Sequence, residues 1–133
     1  MFGKGKNIKS MAYVENVSSF IRYSMTFPQG KYIYNYVDKP DYDMNTLVSE
    51  TRNILFGKKN VGLRFPAFLG ACIGYFADIL SLLTSKKLPI SSIRVKKFLS
   101  NSQFDTSAFR TGFNPAKSLK KGLSQTLNYE FIE

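Results

Sequence analysis

Apolar residues are concentrated in one stretch of the chain, and this stretch dominates the predicted fold. Between Pro66 and Thr84 the one charged residue is Asp78, and apolar side chains fall on nearly every face of a helix. Pro66 suits the first helical turn, where its missing N–H group is not needed. A helix of this kind must be covered on most of its surface, either by the rest of the protein or by a bilayer.

Two interpretations of this helix stay open at the level of sequence. A spanning helix needs about 20 mostly apolar residues, whereas this run is slightly shorter, contains Asp78, and is closely followed by Lys86 and Lys87. Gly70 and Gly74 would let either a second membrane helix or a neighbouring core element approach closely. The short length and the internal acid favour a buried core helix, with a membrane segment as the alternative. The same interpretation predicts that Cys72 is a buried, inert thiol.

Weaker patterns predict the remaining elements. Alternating or β-branched residues predict strands, and apolar residues at i, i+3 and i+4 behind a capping side chain predict helices. Strands are predicted at 31–37, 61–65 and 102–104, a turn at 38–42, and helices from about Glu15 to Met25, from the Asp43 cap to Gly57, after Ser91 or Ser92, and after Ser118. This order indicates a single α/β domain with two β–α units.

Composition limits the chemistry that this chain can carry. With 133 residues, 44% hydrophobic, it can bury one modest core, and its formal net charge of +10 favours anionic partners. It has no histidine and one cysteine, which excludes His-based zinc sites, thiolate metal cages and His-based triads. No metal site is predicted. The polar N-terminal segment lacks a secretory signal, so a cytoplasmic location is predicted.

Three segments, in order, resemble one enzyme family. GKGKNIKSMAYVENV is similar to a G-x-G-x-x-x-R-x-x-x-Y-V-x-D-V segment, and YIYNYVDKPDYDMNTLVSETRNILFGKK is similar to a Y-N-V strand with its following helix. FDTSAFRTGFNPAKSLKKGLSQTLNYEF is similar to a D-x-S-K-A…L-G-F-x-P…S-L-x-E-G-L pattern. The family is the extended short-chain dehydrogenases, which includes the NAD-dependent nucleotide-sugar epimerases and dehydratases.

The resemblance implies the C-terminal, substrate-binding portion of an extended Rossmann-type enzyme. It assigns residues 1–60 to the last part of the α/β sheet region and residues 61–133 to a helical subdomain on the substrate side. The family's G-x-x-G-x-x-G fingerprint and Y-x-x-x-K pair are absent from this chain. We therefore predict no catalytic or cofactor-binding residue, with NAD bound only by a full-length parent enzyme. Because the faces that pack on the missing half would be exposed and apolar, we also predict self-association.

The resemblance also implies three substrate-binding residues for a nucleotide-sugar, with a UDP-sugar expected. Lys9 takes the place of the family's first diphosphate-binding arginine, keeping the charge but losing the bidentate fork. Phe2 stands where the family contacts the base, and Arg94 is the candidate for a second arginine. Tyr13 is predicted to be a packing residue, and Asp105 to be a helix cap.

The alternative function is a basic α/β module that binds nucleic acid or an acidic membrane surface. Tyrosines follow Lys31 in KYIYNYV, and such a surface could stack single-stranded bases. The chain contains no RNA-binding motif such as R-G-F-G-F, so neither nucleic acid nor a membrane is predicted as the partner. A steep salt dependence of binding would favour this alternative.

Overall fold

The computed structural model describes residues 1–84 and 88–131 and consists mainly of helices. The elements are β1 (Ile8–Met11), α1 (Val14–Ser24), β2 (Asp38–Asp43), α2 (Met44–Phe56), α3 (Ala67–Thr84), α4 (Ser92–Leu99), a 3-10 helix (Ala108–Thr111) and α5 (Leu119–Phe131).

The elements pack as two neighbouring groups. β1 and β2 form a two-stranded antiparallel sheet in which Ile8 pairs with Asp43, and α2 packs on β2 and on α5. α3 packs against α4. The N-terminal segment joins the groups, because the Asn7 amide donates to the carbonyls of Phe98 and Ser100 at the C-terminal end of α4. The sheet is too small to identify the Rossmann-type class, which stays a prediction, as does the division at residue 60.

The capping residues predicted for α2, α4 and α5 are confirmed, whereas α1 begins after Tyr13 without a side-chain cap. The Asp43 carboxylate accepts the backbone N–H of Thr46 at 2.7 Å and begins α2, which ends at Gly57 in the left-handed conformation. Ser91 caps α4, and the Ser118 hydroxyl accepts a backbone N–H in the first turn of α5. At these helix ends, residues within a few positions of the boundary therefore determine where the helix begins or ends.

The cap of α2 gives a first prediction. The hydrogen bond from Thr46 holds the pKa of Asp43 below its usual range. Its contribution to stability is therefore complete above the unfolded pKa of about 3.9 and is lost as the pH falls through the lower folded pKa. We expect Asp43→Ala to lower the free energy of unfolding by about 1 kcal/mol at pH 7, and by less at pH 2. Urea titrations followed by circular dichroism at both pH values measure the difference in the free energy of unfolding.

Asp43→Asn, which keeps a capping oxygen, is the matched control. A loss of stability in Asp43→Ala that does not change with pH would refute the ionic contribution.

The predicted strand at 31–37 is wrong. Its backbone bonds to the segment before and within the 3-10 helix instead of to a strand: the Asn35 N–H donates to the Ser107 hydroxyl, and the Asn35 carbonyl accepts from the Ala108 N–H. Its aromatic rings pack on rings from other parts of the chain. Tyr34 and Tyr36 lie 5.7 and 5.5 Å from the Phe20 ring. Aromatic alternation here reflects a ring cluster.

Other strand and turn predictions are also corrected. The segment 38–42, predicted as a turn because of Pro40, belongs to β2, where proline is tolerated in a two-stranded edge ladder. Segments 61–65 and 102–104 are not strands, since each makes a single parallel bridge, Phe65 with Phe2 and Ser102 with Lys9. The cap predicted at Asp105 is displaced, because the 3-10 helix begins after Ser107.

The largest correction concerns α3. The helix forms where predicted, but only 17% of its 18 residues are buried, so it is not a core helix within the described part of the chain. Its length and apolar composition are sufficient to cross a membrane. Cys72, predicted to be buried, is exposed. The physical reason is that α3 contacts the rest of this chain mainly through one narrow side, formed by Gly70, Gly74 and Ala77.

Candidate functional site

Two of the three predicted site residues line the same pocket. Phe2 and Arg94 border a cavity of about 430 Å³ between the N-terminal segment, α3 and α4. Gly70 forms part of its wall, and a Cβ atom there would lie 3.0 Å from the Phe2 ring, so glycine makes room for that ring. The remaining lining is mainly apolar: Met1, Ile73, Pro89, Ile90, Val95 and Phe98.

Backbone pairing and ring packing position Phe2. The Gly3 N–H donates to the Phe65 carbonyl, and the Phe65 N–H donates to the Met1 carbonyl, both at 2.8 Å. The centres of the Phe2 and Phe65 rings are 6.0 Å apart. Because Phe65 lies two residues before the start of α3, this pairing fixes the N-terminus against the beginning of that helix.

Arg94 supplies the positive charge at the pocket. Its Nη1 donates to the Pro89 carbonyl at 2.6 Å, which anchors the side chain. Among residues 1–84 and 88–131, no carboxylate forms an ion pair with Arg94. A guanidinium has five N–H donors, so this exposed group keeps donors for an anion such as a diphosphate.

Lys9 does not line this pocket. Its Nζ donates to the carbonyl of Lys97 at 2.7 Å, in the last turn of α4. A cation at this position stabilises the negative end of a helix. Lys9 thus holds β1 against α4 in this structure, and its role as a phosphate ligand stays a prediction.

Tyr13 lies at a second pocket, of about 620 Å³, which it borders together with α5. Its ring packs on Gly122, where a Cβ atom would lie 2.5 Å from the ring, so the predicted packing role is confirmed. Its hydroxyl donates to Glu15 at 2.8 Å, and this hydrogen bond raises the pKa of Tyr13. Glu15 pairs with Lys117, which lowers the pKa of Glu15 and raises that of Lys117. The phenol is therefore held as a hydrogen-bond donor.

A buried carboxylate that sequence reasoning missed organises this region. Asp38 is 1% exposed and accepts three hydrogen bonds: from the Tyr13 backbone N–H at 2.6 Å, the Asn16 amide at 2.9 Å and the Tyr36 hydroxyl at 2.9 Å. Burial of the Tyr36 hydroxyl raises its pKa, and the hydrogen bond from this hydroxyl to Asp38 raises it further. Asn16 also bonds to both backbone groups of Lys117. The sequence offers one hint of this cluster: Asn16, which binds Asp38, stands where the Y-V-x-D-V pattern has an acid.

In comparisons with known proteins, the chain is similar to a portion of a sugar epimerase. The relative is the N-acetyl-alpha-D-glucosaminyl-diphospho-ditrans,octacis-undecaprenol 4-epimerase of Escherichia coli O157:H7, which is 48% identical over 134 residues. The match covers 99% of this chain but 40% of the relative, so the chain spans less than half of that enzyme's length. No protein-family profile matches the chain, and no solved structure matches it.

Proposed function

We propose that this chain is the C-terminal, substrate-side portion of an NAD-dependent epimerase that acts on a sugar attached to a diphosphate. The observation that supports this most strongly is the 48% identity to an epimerase across 99% of the chain. In this proposal, Arg94 binds the diphosphate, and Phe2 packs against the group that the diphosphate carries at the end opposite the sugar. No residue of this chain carries out the chemical step.

We further propose that the substrate is a sugar on a polyprenyl diphosphate, in place of the UDP-sugar expected from the family. The relative's name specifies a diphospho-undecaprenol sugar. A pocket lined by Ile73, Ile90 and Phe98 suits a prenyl chain better than a uridine, because it offers few polar groups to a base. Arg94 lies at its edge, where the diphosphate would join that chain.

Within the described part of the chain, the glycine pair Gly3 and Gly5 does not fit an NAD-binding fingerprint. Gly3 and Gly5 precede β1 and do not connect a strand to a helix, as a dinucleotide fingerprint requires. The space beside Gly5 is filled by Asn45, whose Oδ1 would lie 2.3 Å from a Cβ atom there. In the proposal, NAD bound by the rest of a longer enzyme accepts the hydride removed from the sugar. This chain contributes binding energy remote from the reacting carbon, which orients the sugar.

No specific observation favours the nucleic-acid alternative. The aromatic residues behind that hypothesis are packed together, since the Phe113 ring lies 6.0 Å from Tyr36 and 5.3 Å from Phe20. Rings used in this way do not form the open strand surface on which bases would stack.

A chimeric enzyme tests the proposed function. The matched 40% of the Escherichia coli epimerase is replaced by this chain, and conversion of N-acetylglucosamine on a prenyl diphosphate to its 4-epimer is measured with NAD present. We expect turnover on the prenyl-linked sugar and much weaker turnover on the UDP-sugar. A folded chimera that converts neither substrate, beside an active parent enzyme, would contradict the proposal.

The same chimera tests the role of Arg94. We expect Arg94→Ala to raise KM by about 10- to 100-fold, because a charge-assisted hydrogen bond to a diphosphate contributes about 1.5–3 kcal/mol. Arg94→Lys should recover part of this loss, since lysine keeps the charge but not the fork. Arg22→Ala, at an exposed arginine of α1, is the control and should leave KM unchanged. Equal KM values for the two alanine variants would show that Arg94 does not bind the substrate.

A further inference from the structure

We propose that α3 binds an anionic phospholipid bilayer, lying in the plane of its surface with α4 on the side facing water. This inference concerns the face of α3 that points away from α4 and from the substrate pocket, and it holds whichever sugar carrier the enzyme uses. Membrane binding of the chain is measurable without substrate or NAD, so it can fail or succeed independently of the proposed function.

The first support is the uninterrupted apolar face of α3. The helix is about 27 Å long, and the small residues that contact α4 all lie on one side of it. With 3.6 residues per turn, its largest apolar side chains fall on the opposite side. All of them are exposed, Phe76 at 67% for example: Phe68, Tyr75, Phe76, Ile79, Leu82 and Leu83. A continuous surface of this size is rare on soluble proteins and marks an interaction site.

The second support is the distribution of charge. The one acid of α3, Asp78, is directed towards α4, where its carboxylate accepts the Ser92 N–H at 3.1 Å. The exposed charges of α4 are all basic, namely Arg94, Lys96 and Lys97. Lys96 and Lys97 lie on the helix that packs against α3, so an anionic lipid surface that receives the apolar face of α3 also attracts these nearby cations. A purely apolar protein partner would not need these cations.

The packing of α4 determines the orientation. At Gly74 a Cβ atom would lie 2.7 Å from the Ser92 Cα, so the two backbones are in close contact. If α3 crossed the bilayer, this contact would carry Arg94, Lys96 and Lys97 into hydrocarbon, which is costly for charged side chains. If α3 lies in the interface, its apolar face enters the boundary between head groups and acyl chains, and the basic groups stay near the phosphates.

Flotation with vesicles tests the proposal. The purified 133-residue chain is mixed with vesicles of phosphatidylglycerol and phosphatidylethanolamine, or of phosphatidylcholine alone, at several salt concentrations. We expect flotation with the anionic vesicles, at least 10-fold stronger than with the neutral ones at low salt, and a steep decrease as salt is added. A chain that stays at the bottom of the gradient with both vesicle types, as a self-associated particle or as a monomer, overturns the proposal.

Matched variants separate the apolar and charge contributions. Ile79→Gln should weaken partitioning by about 10-fold, the effect of removing one buried isoleucine from an apolar phase. Ile33→Gln, at an isoleucine that is 82% exposed outside α3, should not weaken it. The pair Lys96→Gln and Lys97→Gln should weaken binding by 10-fold or more, whereas Lys31→Gln with Lys121→Gln removes the same charge elsewhere. Equal losses within either matched set overturn the proposal.

The single cysteine supplies a depth measurement. Cys72 is exposed on the apolar side of α3, so an environment-sensitive fluorophore attached there reports on that face. We expect a blue shift when anionic vesicles are added, with strongest quenching by nitroxides placed just below the head groups. Strongest quenching at the bilayer centre would indicate a spanning helix and overturn the in-plane orientation. A blue shift without vesicles and no lipid quenching would indicate a second copy as the partner and overturn lipid binding.

Discussion

Asp38→Ala is expected to lower the free energy of unfolding by about 3–5 kcal/mol, or to prevent folding. The substitution removes the acceptor of three donors: the buried Tyr13 N–H, one of the two N–H groups of the buried Asn16 amide, and the part-buried Tyr36 hydroxyl. Each unsatisfied buried group costs about 1–3 kcal/mol. Urea denaturation followed by circular dichroism measures the loss.

The control for this prediction is the same change at an exposed carboxylate. Asp105 pairs with Arg110, and both side chains are exposed to solvent, so Asp105→Ala should change the free energy of unfolding by less than about 0.5 kcal/mol. Asp38→Asn should fall between the two, because the amide keeps one acceptor and presents a donor to groups that also donate. Equal effects of the two alanine changes would show that Asp38 does not organise the fold.

Gly74→Val is the second change with a large expected effect. A side chain at this position meets the backbone of Ser92, which cannot move aside without displacing α4. Overpacking of this kind costs about 1–3 kcal/mol, and occasionally more. We expect a loss of at least 2 kcal/mol in the free energy of unfolding, together with loss of the pocket shared by Phe2 and Arg94.

Cys72→Val is the matched control, because it introduces the same side chain into the same helix at an exposed position. It should change the free energy of unfolding by less than about 0.5 kcal/mol. Proteolysis at the α4 segment adds a local readout: Gly74→Val should speed cleavage there, and Cys72→Val should not. A Gly74→Val chain as stable and as protected as the control would show that α3 and α4 are not tightly packed.

Helix ends were predictable from the sequence because their causes are local. Asp43, Gly57 and Ser91 act on backbone groups within a few residues, so a single segment contains the whole signal. The strand at 31–37 was predicted wrongly because its alternating aromatics have another use. Their partners, such as Phe113, lie far along the chain, and no local pattern distinguishes a ring cluster from a strand.

The residues of the candidate site were not predictable from local patterns, and substrate binding by them stays a prediction. Phe2 and Arg94 were identified through a resemblance, and the structure brings them to one pocket, although nothing in either segment indicates that they meet. Asp38 was missed because two of its three partners are 22 and 25 residues away and Pro40 follows it, so its neighbours suggest a turn. For α3 the sequence determines how apolar the helix is but not what covers it, since burial depends on the other elements.

Ligand binding by the isolated chain tests most directly whether it holds the sugar diphosphate but not the hydride carrier. Saturation-transfer NMR compares a short prenyl diphosphate carrying N-acetylglucosamine with NAD⁺, and absorbance at 340 nm follows any hydride transfer. We predict transfer of saturation to the prenyl-linked sugar, none to NAD⁺, and no reduced nicotinamide. Binding of NAD⁺ with formation of NADH by this chain alone would contradict the account.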